Sequence, residues 1–275
     1  MNRPLRLGAV GYLNARPLVF GLAREADRFA VRFDVPSTCA ALLHDGAIDL
    51  GLVPSIEYCR RPGYAIVPGA SVASRGPVDS VALYTRVPVE RITSIALDSS
   101  SRTSAGLLRV LCARKFGIAP SFEPMAPAID AMLGRHPAFL LIGDPALFLD
   151  HRALGLEKID LGEQWTAMTG LPFVWAFWVG RAGAVEPADV ARLQQARREG
   201  QASLATIAAE HAPDDRVRQE RIVCYLRENI HYDLDGDYAR GLARYLALAG
   251  ELGLAPAGIA IEFFGMERPA HEASR

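Results

Sequence analysis

The sequence contains no apolar run long enough to cross a bilayer. Its longer apolar stretches, such as residues 173–180, fall far short of the ~20 residues that a membrane-spanning helix needs. The amino terminus, MNRPLRLGAVGYLNARPL, has neither the long apolar core nor the small-residue cleavage site of a secretory signal, and Asn14 and Arg16 interrupt it. We therefore expect a cytoplasmic protein without a membrane partner.

An excess of one charge is also missing. The chain carries 30 Lys and Arg against 31 Asp and Glu, a formal net charge of −1, and no block of like charge forms a basic arm. Because nonspecific binding to nucleic acid depends on such an excess of positive charge, we expect no nucleic-acid partner. Any recognition of charge must then be local.

Motifs for metals, cofactors and disulfides are absent as well. The four cysteines show neither C-x-x-C pairing nor metal-ligand spacing, so we expect buried free thiols. They are Cys39, Cys59, Cys112 and Cys224. The six histidines lack triad or ligand spacing, and the chain has no dinucleotide fingerprint, phosphate loop, G-x-S-x-G or H-E-x-x-H motif. We therefore expect no metal and no cofactor.

Short apolar strands alternate with helical patterns, which predicts an α/β fold. A chain of 275 residues, 50% of them hydrophobic, is long enough for one large domain or two modest ones. Strands are predicted at residues 5–12, 31–35, 47–53, 80–87, 92–97 and 139–142. Helices are predicted at residues 15–25, 36–46, 54–61 and 103–117, and three more at 186–211, 216–229 and 238–252.

An internal similarity indicates two lobes of similar build. Residues 40–58 and 130–148 both show a helix, a break, an apolar strand, a polar turn and a new helix. We predict a first lobe of residues 1–86 and 177–275, covered by the carboxyl-terminal helices, and a second lobe of residues 87–176. A chain that crosses twice between lobes forms a hinge, with a ligand cleft between them.

Short polar side chains follow the predicted strands. The stretch LDSSSRTSAG, residues 97–106, surrounds one arginine with five hydroxyl groups. Ligands of open α/β sheets bind beyond the carboxyl ends of the strands, where the amide groups of helix starts attract carboxylate or phosphate. Arg102 would add a two-pronged contact. The pattern predicts a site for a small carboxylate, although Ser37, Ser55 and Asp144 are equally explained as helix caps.

Six segments in register resemble one known family. They are GYLNARPL, DLGLVPSIEY, GPVDSVALYT, LDSSSRTSAGLL, LLIGDPAL and DLGEQWTAMTGLPFVWAFW, and they span about residues 5–180. This set resembles the chorismate dehydratases of the futalosine route to menaquinone. The resemblance implies a periplasmic-binding-protein type II fold without export. It also implies a hydro-lyase that converts chorismate into 3-[(1-carboxyvinyl)oxy]benzoate by stepwise, carbanion-type elimination.

The resemblance implies roles for particular residues. The expected catalytic residues are Asn14, Ser80 and Asp144. The expected substrate-binding residues are Ser37, Ser55, Ser99, Ser100, Ser101, Arg102, Thr103, Ser104 and Gly143. The turn with Arg102 would hold one carboxylate of chorismate, and Ser37 or Ser55 would meet the other. Ser80 would donate to the leaving hydroxyl or orient the ring. The base would be Asp144, or the enolpyruvyl carboxylate of the substrate itself.

Two other functions remain open at this point. A 1,4-dihydroxy-6-naphthoate synthase of the same pathway would share the fold, and we would expect it to use a cleft histidine as base. None of the six histidines lies at a predicted strand end. A transporter's solute-binding protein would bind a small carboxylate without turning it over. The sequence leaves the oligomeric state open.

Overall fold

The computed structural model describes residues 3–265, which form two five-stranded sheets flanked by helices. The first sheet has the strand order β2-β1-β3-β10-β4. Its strands are β1 (Leu5–Val10), β2 (Phe29–Asp34), β3 (Leu50–Pro54), β4 (Tyr64–Ser74) and β10 (Phe173–Arg181). The second sheet has the order β7-β6-β8-β5-β9. Its strands are β5 (Val81–Thr85), β6 (Ser94–Asp98), β7 (Ser121–Met125), β8 (Ala138–Ile142) and β9 (Glu157–Asp160).

Helices connect and cover the strands. The α-helices are α1 (Pro36–His44), α2 (Thr103–Leu111), α3 (Ile129–Arg135), α4 (Gly143–Leu147), α5 (Leu161–Thr169), α6 (Pro187–Ala202), α7 (Leu204–His211), α8 (Arg216–Glu228) and α9 (Gly236–Glu251). Short 3-10 turns span Leu13–Val19, Leu22–Arg24, Ser55–Arg60 and Val89–Arg91. Between residues 3 and 265, no helix has the length and apolar character needed to span a membrane.

The two sheets repeat one arrangement. In the first, β1 pairs in parallel with β2 and β3, and β10 runs antiparallel to β3. In the second, β6 pairs in parallel with β7 and β8, and β5 runs antiparallel to β8. All five residues of β3 and of β8 are buried, as expected of central strands with both faces covered. The predicted α/β fold with two similar halves is confirmed.

The strand pairing places the two chain crossings earlier than the predicted lobe boundaries. Strand β5 belongs to the second sheet, so the chain crosses between the end of β4 at Ser74 and Val81. It returns before Phe173, because β10 pairs with β3 and β4 of the first sheet. Residues 81–85 and 173–176 therefore lie in the sheet opposite to the one that the predicted division gave them. Residues 266–275 of the predicted first lobe lie outside the described residues.

The carboxyl-terminal helices contact both lobes, whereas a cover on the first lobe was predicted. Tyr225 of α8 donates a hydrogen bond to Ser80. Tyr245 of α9 donates to the carbonyl of Thr103. Helix α6 lies so close to the Leu13–Val19 turn that a Cβ on Gly200 would come 2.3 Å from the Pro17 carbonyl oxygen. This packing fixes the turn that carries Asn14.

Three local predictions differ from the structure. Residues 15–25 form 3-10 turns instead of an α-helix, because Pro17 lacks an amide donor and Gly21 adopts a left-handed φ of 76°. The predicted helix 186–211 is divided at Ser203 into α6 and α7. Three of the four cysteines are buried free thiols as predicted, but Cys224 is exposed.

Candidate active site

A cleft opens between the two sheets, close to the ends of β1, β3, β6 and β8. The lining residues are Val10, Tyr12, Asn14, Ala15, Pro36, Leu52, Pro54, Val72, Val81, Ser101, Arg102, Thr103, Ser104, Ile142, Gly143, Trp175 and Ala176. Both lobes contribute, as predicted for a ligand that binds between them.

The start of α2 forms the polar wall of the cleft. Ser101, Arg102, Thr103 and Ser104 all line it, and α2 begins at Thr103 without any side-chain cap. The first amide groups of an α-helix have no partner within the helix and carry a partial positive charge. A carboxylate placed here would accept hydrogen bonds from these amides and from the hydroxyl groups beside them.

Arg102 is the one charged side chain among the described lining residues. Its guanidinium Nη1 lies 3.9 Å from Oε1 of the buried Glu57. Glu57 is already occupied, since His44 lies 3.0 Å from Oε2 and Arg60 lies 3.3 Å from Oε1. The Arg102 side chain is 45% exposed. Such a long, exposed ion pair contributes little, so Arg102 is free to turn to a ligand.

Tyr12 and Asn14 line the opposite, first-lobe wall, just after β1. The Tyr12 ring packs on Gly143, whose φ of 66° lies in the left-handed region. A Cβ on Gly143 would come within 2.8 Å of that ring, so only glycine permits this contact. The Tyr12 hydroxyl lies 3.4 Å from Ser100 Oγ in the second lobe. Apolar side chains and Trp175 complete the wall.

Asn14 belongs to a buried hydrogen-bond network. The Tyr225 hydroxyl donates to Ser80 Oγ over 2.7 Å, and the Asn14 side chain is a hydrogen-bond partner of the same hydroxyl. Burial raises the pKa of the Tyr225 phenol, which keeps it protonated as a donor. Ser80 is fully buried and is absent from the described lining residues. Asn14 therefore faces the cleft, and Ser80 supports it from behind.

Asp144 holds the two lobes together. Its Oδ1 accepts a hydrogen bond of 2.9 Å from the amide of Leu13, at the start of the first-lobe 3-10 turn. Burial raises the pKa of Asp144, and this hydrogen bond and the charges of His211, Arg16 and Arg218 oppose the rise. Asp144 lies outside the described cleft lining and makes no cap hydrogen bond to α4, which it was predicted to cap.

Four of the expected substrate-binding serines are placed elsewhere. Ser55 is buried and donates to the carbonyl of Val174 over 2.8 Å. Ser37 lies inside α1, whose cap position is Val35, and neither Ser37 nor Ser55 lines the cleft. Ser99 is exposed and lines a pocket on the outer side of its turn. Ser100 meets the cleft only through Tyr12.

The cleft therefore contains Asn14, Ser101, Arg102, Thr103, Ser104 and Gly143 of the predicted site. Sequence reasoning missed Tyr12 and Trp175, which both line the cleft. The available signal for Tyr12 was its place shortly after the end of β1, in the same segment as Asn14.

These lobes and this cleft define a two-lobed binding-protein fold. The periplasmic aliphatic sulphonate binding protein SsuA from Escherichia coli has it with a TM-score of 0.59, at 18% identity over 98% of this chain and 96% of that one. The alkanesulfonate-binding protein SsuA from Xanthomonas axonopodis pv. citri, bound to MOPS, reaches a TM-score of 0.68 at 15% identity, covering 93% of this chain and 95% of its own. Both likenesses show the fold alone and confirm the predicted periplasmic-binding-protein type.

Sequence comparison identifies the family. A family model described as menaquinone biosynthesis matches residues 5–251. A curated chorismate dehydratase from Thermus thermophilus is 33% identical over 265 residues, which covers 90% of this chain and 96% of that protein. The chain belongs to this menaquinone biosynthesis family, as the resemblance of its segments implied.

Proposed function

We propose that the chain is a chorismate dehydratase, a hydro-lyase that eliminates water from chorismate to give 3-[(1-carboxyvinyl)oxy]benzoate. The 33% identity to a curated chorismate dehydratase supports this substrate and reaction. The observation that carries the proposal is the wall made by the uncapped start of α2 together with Arg102, which suits a carboxylate.

One carboxylate of the substrate binds at this wall. The first amides of α2, the hydroxyls of Ser101 and Ser104, and the guanidinium of Arg102 surround one end of the cleft. A hydrogen bond to a charged group contributes about 1.5–3 kcal/mol, and a helix start adds about 0.3–1 kcal/mol. Asn14, on the facing wall, offers a polar side chain to the second carboxylate or the ring hydroxyl. Trp175 and the apolar side chains accommodate the ring.

The reaction removes the ring hydrogen beside the enol ether and then expels the neighbouring hydroxyl. That hydrogen is vinylogous to the ring carboxylate, so the electron pair of the broken C–H bond flows into that group. Donors around the carboxylate stabilise the resulting dienolate. Departure of the hydroxyl with a proton, as water, yields the aromatic ring. Closed lobes exclude bulk water during these steps.

The enolpyruvyl carboxylate of the substrate serves as the base. No Asp, Glu or His stands among the described lining residues, which leaves the cleft without a conventional protein base. Asp144 already accepts the Leu13 amide outside this lining. Asn14 then orients the substrate, held in turn by Tyr225 and Ser80.

Turnover of chorismate tests the proposal. The purified full-length chain is mixed with a large excess of chorismate, and the aromatic product is followed by absorbance and identified by mass spectrometry. Many turnovers per chain are expected. A spectral change limited to one equivalent would indicate a binding protein, and no change at all would fit a naphthoate synthase; either result contradicts the proposal.

A further inference from the structure

We propose that Tyr12 is the acid that protonates the departing hydroxyl, and that Ser100, which Asp98 holds in place, positions the Tyr12 hydroxyl. This inference rests on the proposed dehydration, which needs a proton donor for the leaving group. The described residues that line the cleft include no carboxyl and no imidazole group. Tyr12 belongs to the first lobe and its two partners to the second, so the chain of hydroxyls is complete only when the lobes lie together.

The geometry gives Tyr12 a connection to a buried acid. Its hydroxyl lies 3.4 Å from Ser100 Oγ, and either oxygen can act as the donor. The Ser100 hydroxyl donates to Asp98 Oδ1 over 2.6 Å, and the Ser100 amide donates to the same oxygen over 2.9 Å. The ring of Tyr12 is held on Gly143, which fixes where the hydroxyl can go. The long contact leaves the Tyr12 proton available to a ligand.

The other polar groups of the cleft fit the role less well. Arg102 stays protonated at any working pH, and the amide of Asn14 is not an acid. The hydroxyl of Thr103 accepts the Ile56 amide and faces Ser55. Within residues 3–265, the hydroxyls of Ser101 and Ser104 have no protein partner that would position them.

Asp98 is suited to hold Ser100 in place. It is 1% exposed and forms no ion pair within the part of the chain that the structure describes. Its surroundings are Ser100, the Ile142 amide and, through Ser100, Tyr12. Burial raises the pKa of Asp98, and the hydrogen bonds from Ser100 and from the Ile142 amide oppose the rise.

The step balances as follows. The C–O bond of the substrate breaks as the electron pair of the dienolate completes the aromatic ring. The Tyr12 O–H bond breaks and its proton bonds to the departing oxygen, giving water. The Tyr12 phenolate then takes a proton from the enolpyruvyl carboxyl group, which received the ring proton, so that both groups return to their starting forms.

Replacement of Tyr12 by Phe tests the role, because it keeps the ring on Gly143 and removes the proton. We expect kcat to fall at least 100-fold, within the ~10²–10⁴-fold that general acids contribute, and KM to change less than threefold. Tyr238→Phe is the matched control, since Tyr238 donates to or accepts from His231, and neither residue lines the cleft. That variant should stay within twofold of the wild type.

A substrate analogue with fluoride in place of the leaving hydroxyl separates acid catalysis from structural damage. Fluoride leaves without full protonation, so the loss in Tyr12→Phe should shrink from 100-fold to a few fold. Ser100→Ala should lose at least tenfold in kcat on chorismate, recover with the analogue, and be rescued by Ser100→Thr. A Tyr12→Phe enzyme with kcat within threefold of wild type, or an equal loss on both substrates, would overturn the inference. The proposed function would stand in either case as long as the wild type turns over chorismate.

Discussion

Loss of the Arg102 side chain should weaken binding of the substrate more than any other single change in the polar wall. Arg102 is the one charged group among the described residues that line the cleft. In Arg102→Ala, the ligand carboxylate keeps the α2 amides and the hydroxyls of Ser101 and Ser104 but loses its charge-assisted bonds. We expect product affinity and kcat/KM to fall together.

The magnitude follows from the contacts that are lost. A hydrogen bond to a charged group is worth about 1.5–3 kcal/mol. Because about 1.36 kcal/mol corresponds to a factor of ten, the loss is ~10- to 150-fold in kcat/KM. The tie to Glu57 is too long, at 3.9 Å, to offset much of it. Arg102→Lys should recover the charge but not the two-pronged geometry. Its kcat/KM should therefore lie between those of the wild type and of Arg102→Ala.

Initial rates of product formation measure kcat/KM. Titration with product, followed by tryptophan fluorescence, measures product affinity, because Trp175 lies in the cleft. Arg114→Ala is the matched control. The Arg114 side chain is also 45% exposed and pairs with Glu251, outside the cleft. If Arg102→Ala were as active as Arg114→Ala, the assignment of the carboxylate to this wall would be refuted.

Three further outcomes are expected. Gly143→Ala should lower both activity and melting temperature. A Cβ would come too close to the Tyr12 ring, and a left-handed conformation costs a non-glycine residue about 1–2 kcal/mol. Unchanged activity would contradict the packing of that ring. Asn14→Ala should reduce kcat by far more than it raises KM, and equal changes would make Asn14 a binding residue only. The folded chain binds the Asp98 proton more tightly than the unfolded chain does, since the pKa of Asp98 is raised, so its contribution to the free energy of unfolding grows as pH falls from neutral. Denaturant titrations from pH 7 down to about pH 4, the usual range of an Asp carboxyl, should therefore show Asp98→Asn losing stability relative to wild type as the pH falls, and a constant difference would refute this.

Local sequence signals were sufficient for the polar wall of the site. Ser101, Arg102 and Ser104 follow an apolar strand and open a helix, and both features are visible within ten letters. The same pattern, a polar residue after an apolar strand, also pointed to Ser37, Ser55 and Asp144, which do not line the cleft. A polar residue at a strand end accepts or donates wherever a partner lies, and the sequence does not show partners in the other lobe.

The missed and the misplaced residues of the site have a common physical cause. Tyr12 and Ser100 are 88 positions apart, and Asp144 and the Leu13 amide are 131 apart. Their contacts form only because the lobes come together. No short-range sequence pattern indicates a contact between residues so far apart along the chain. Ser80 shows the complementary case, since it lies near the cleft in the fold but is fully buried behind Asn14 and Tyr225.

A crystal structure of the chain with 3-[(1-carboxyvinyl)oxy]benzoate bound tests the central claim most directly. We predict one carboxylate within hydrogen-bonding distance of the first α2 amides and of the Arg102 guanidinium, and the ring between Trp175 and Tyr12. A product bound outside this cleft, or an Arg102 still turned to Glu57 while the cleft is occupied, would contradict the account.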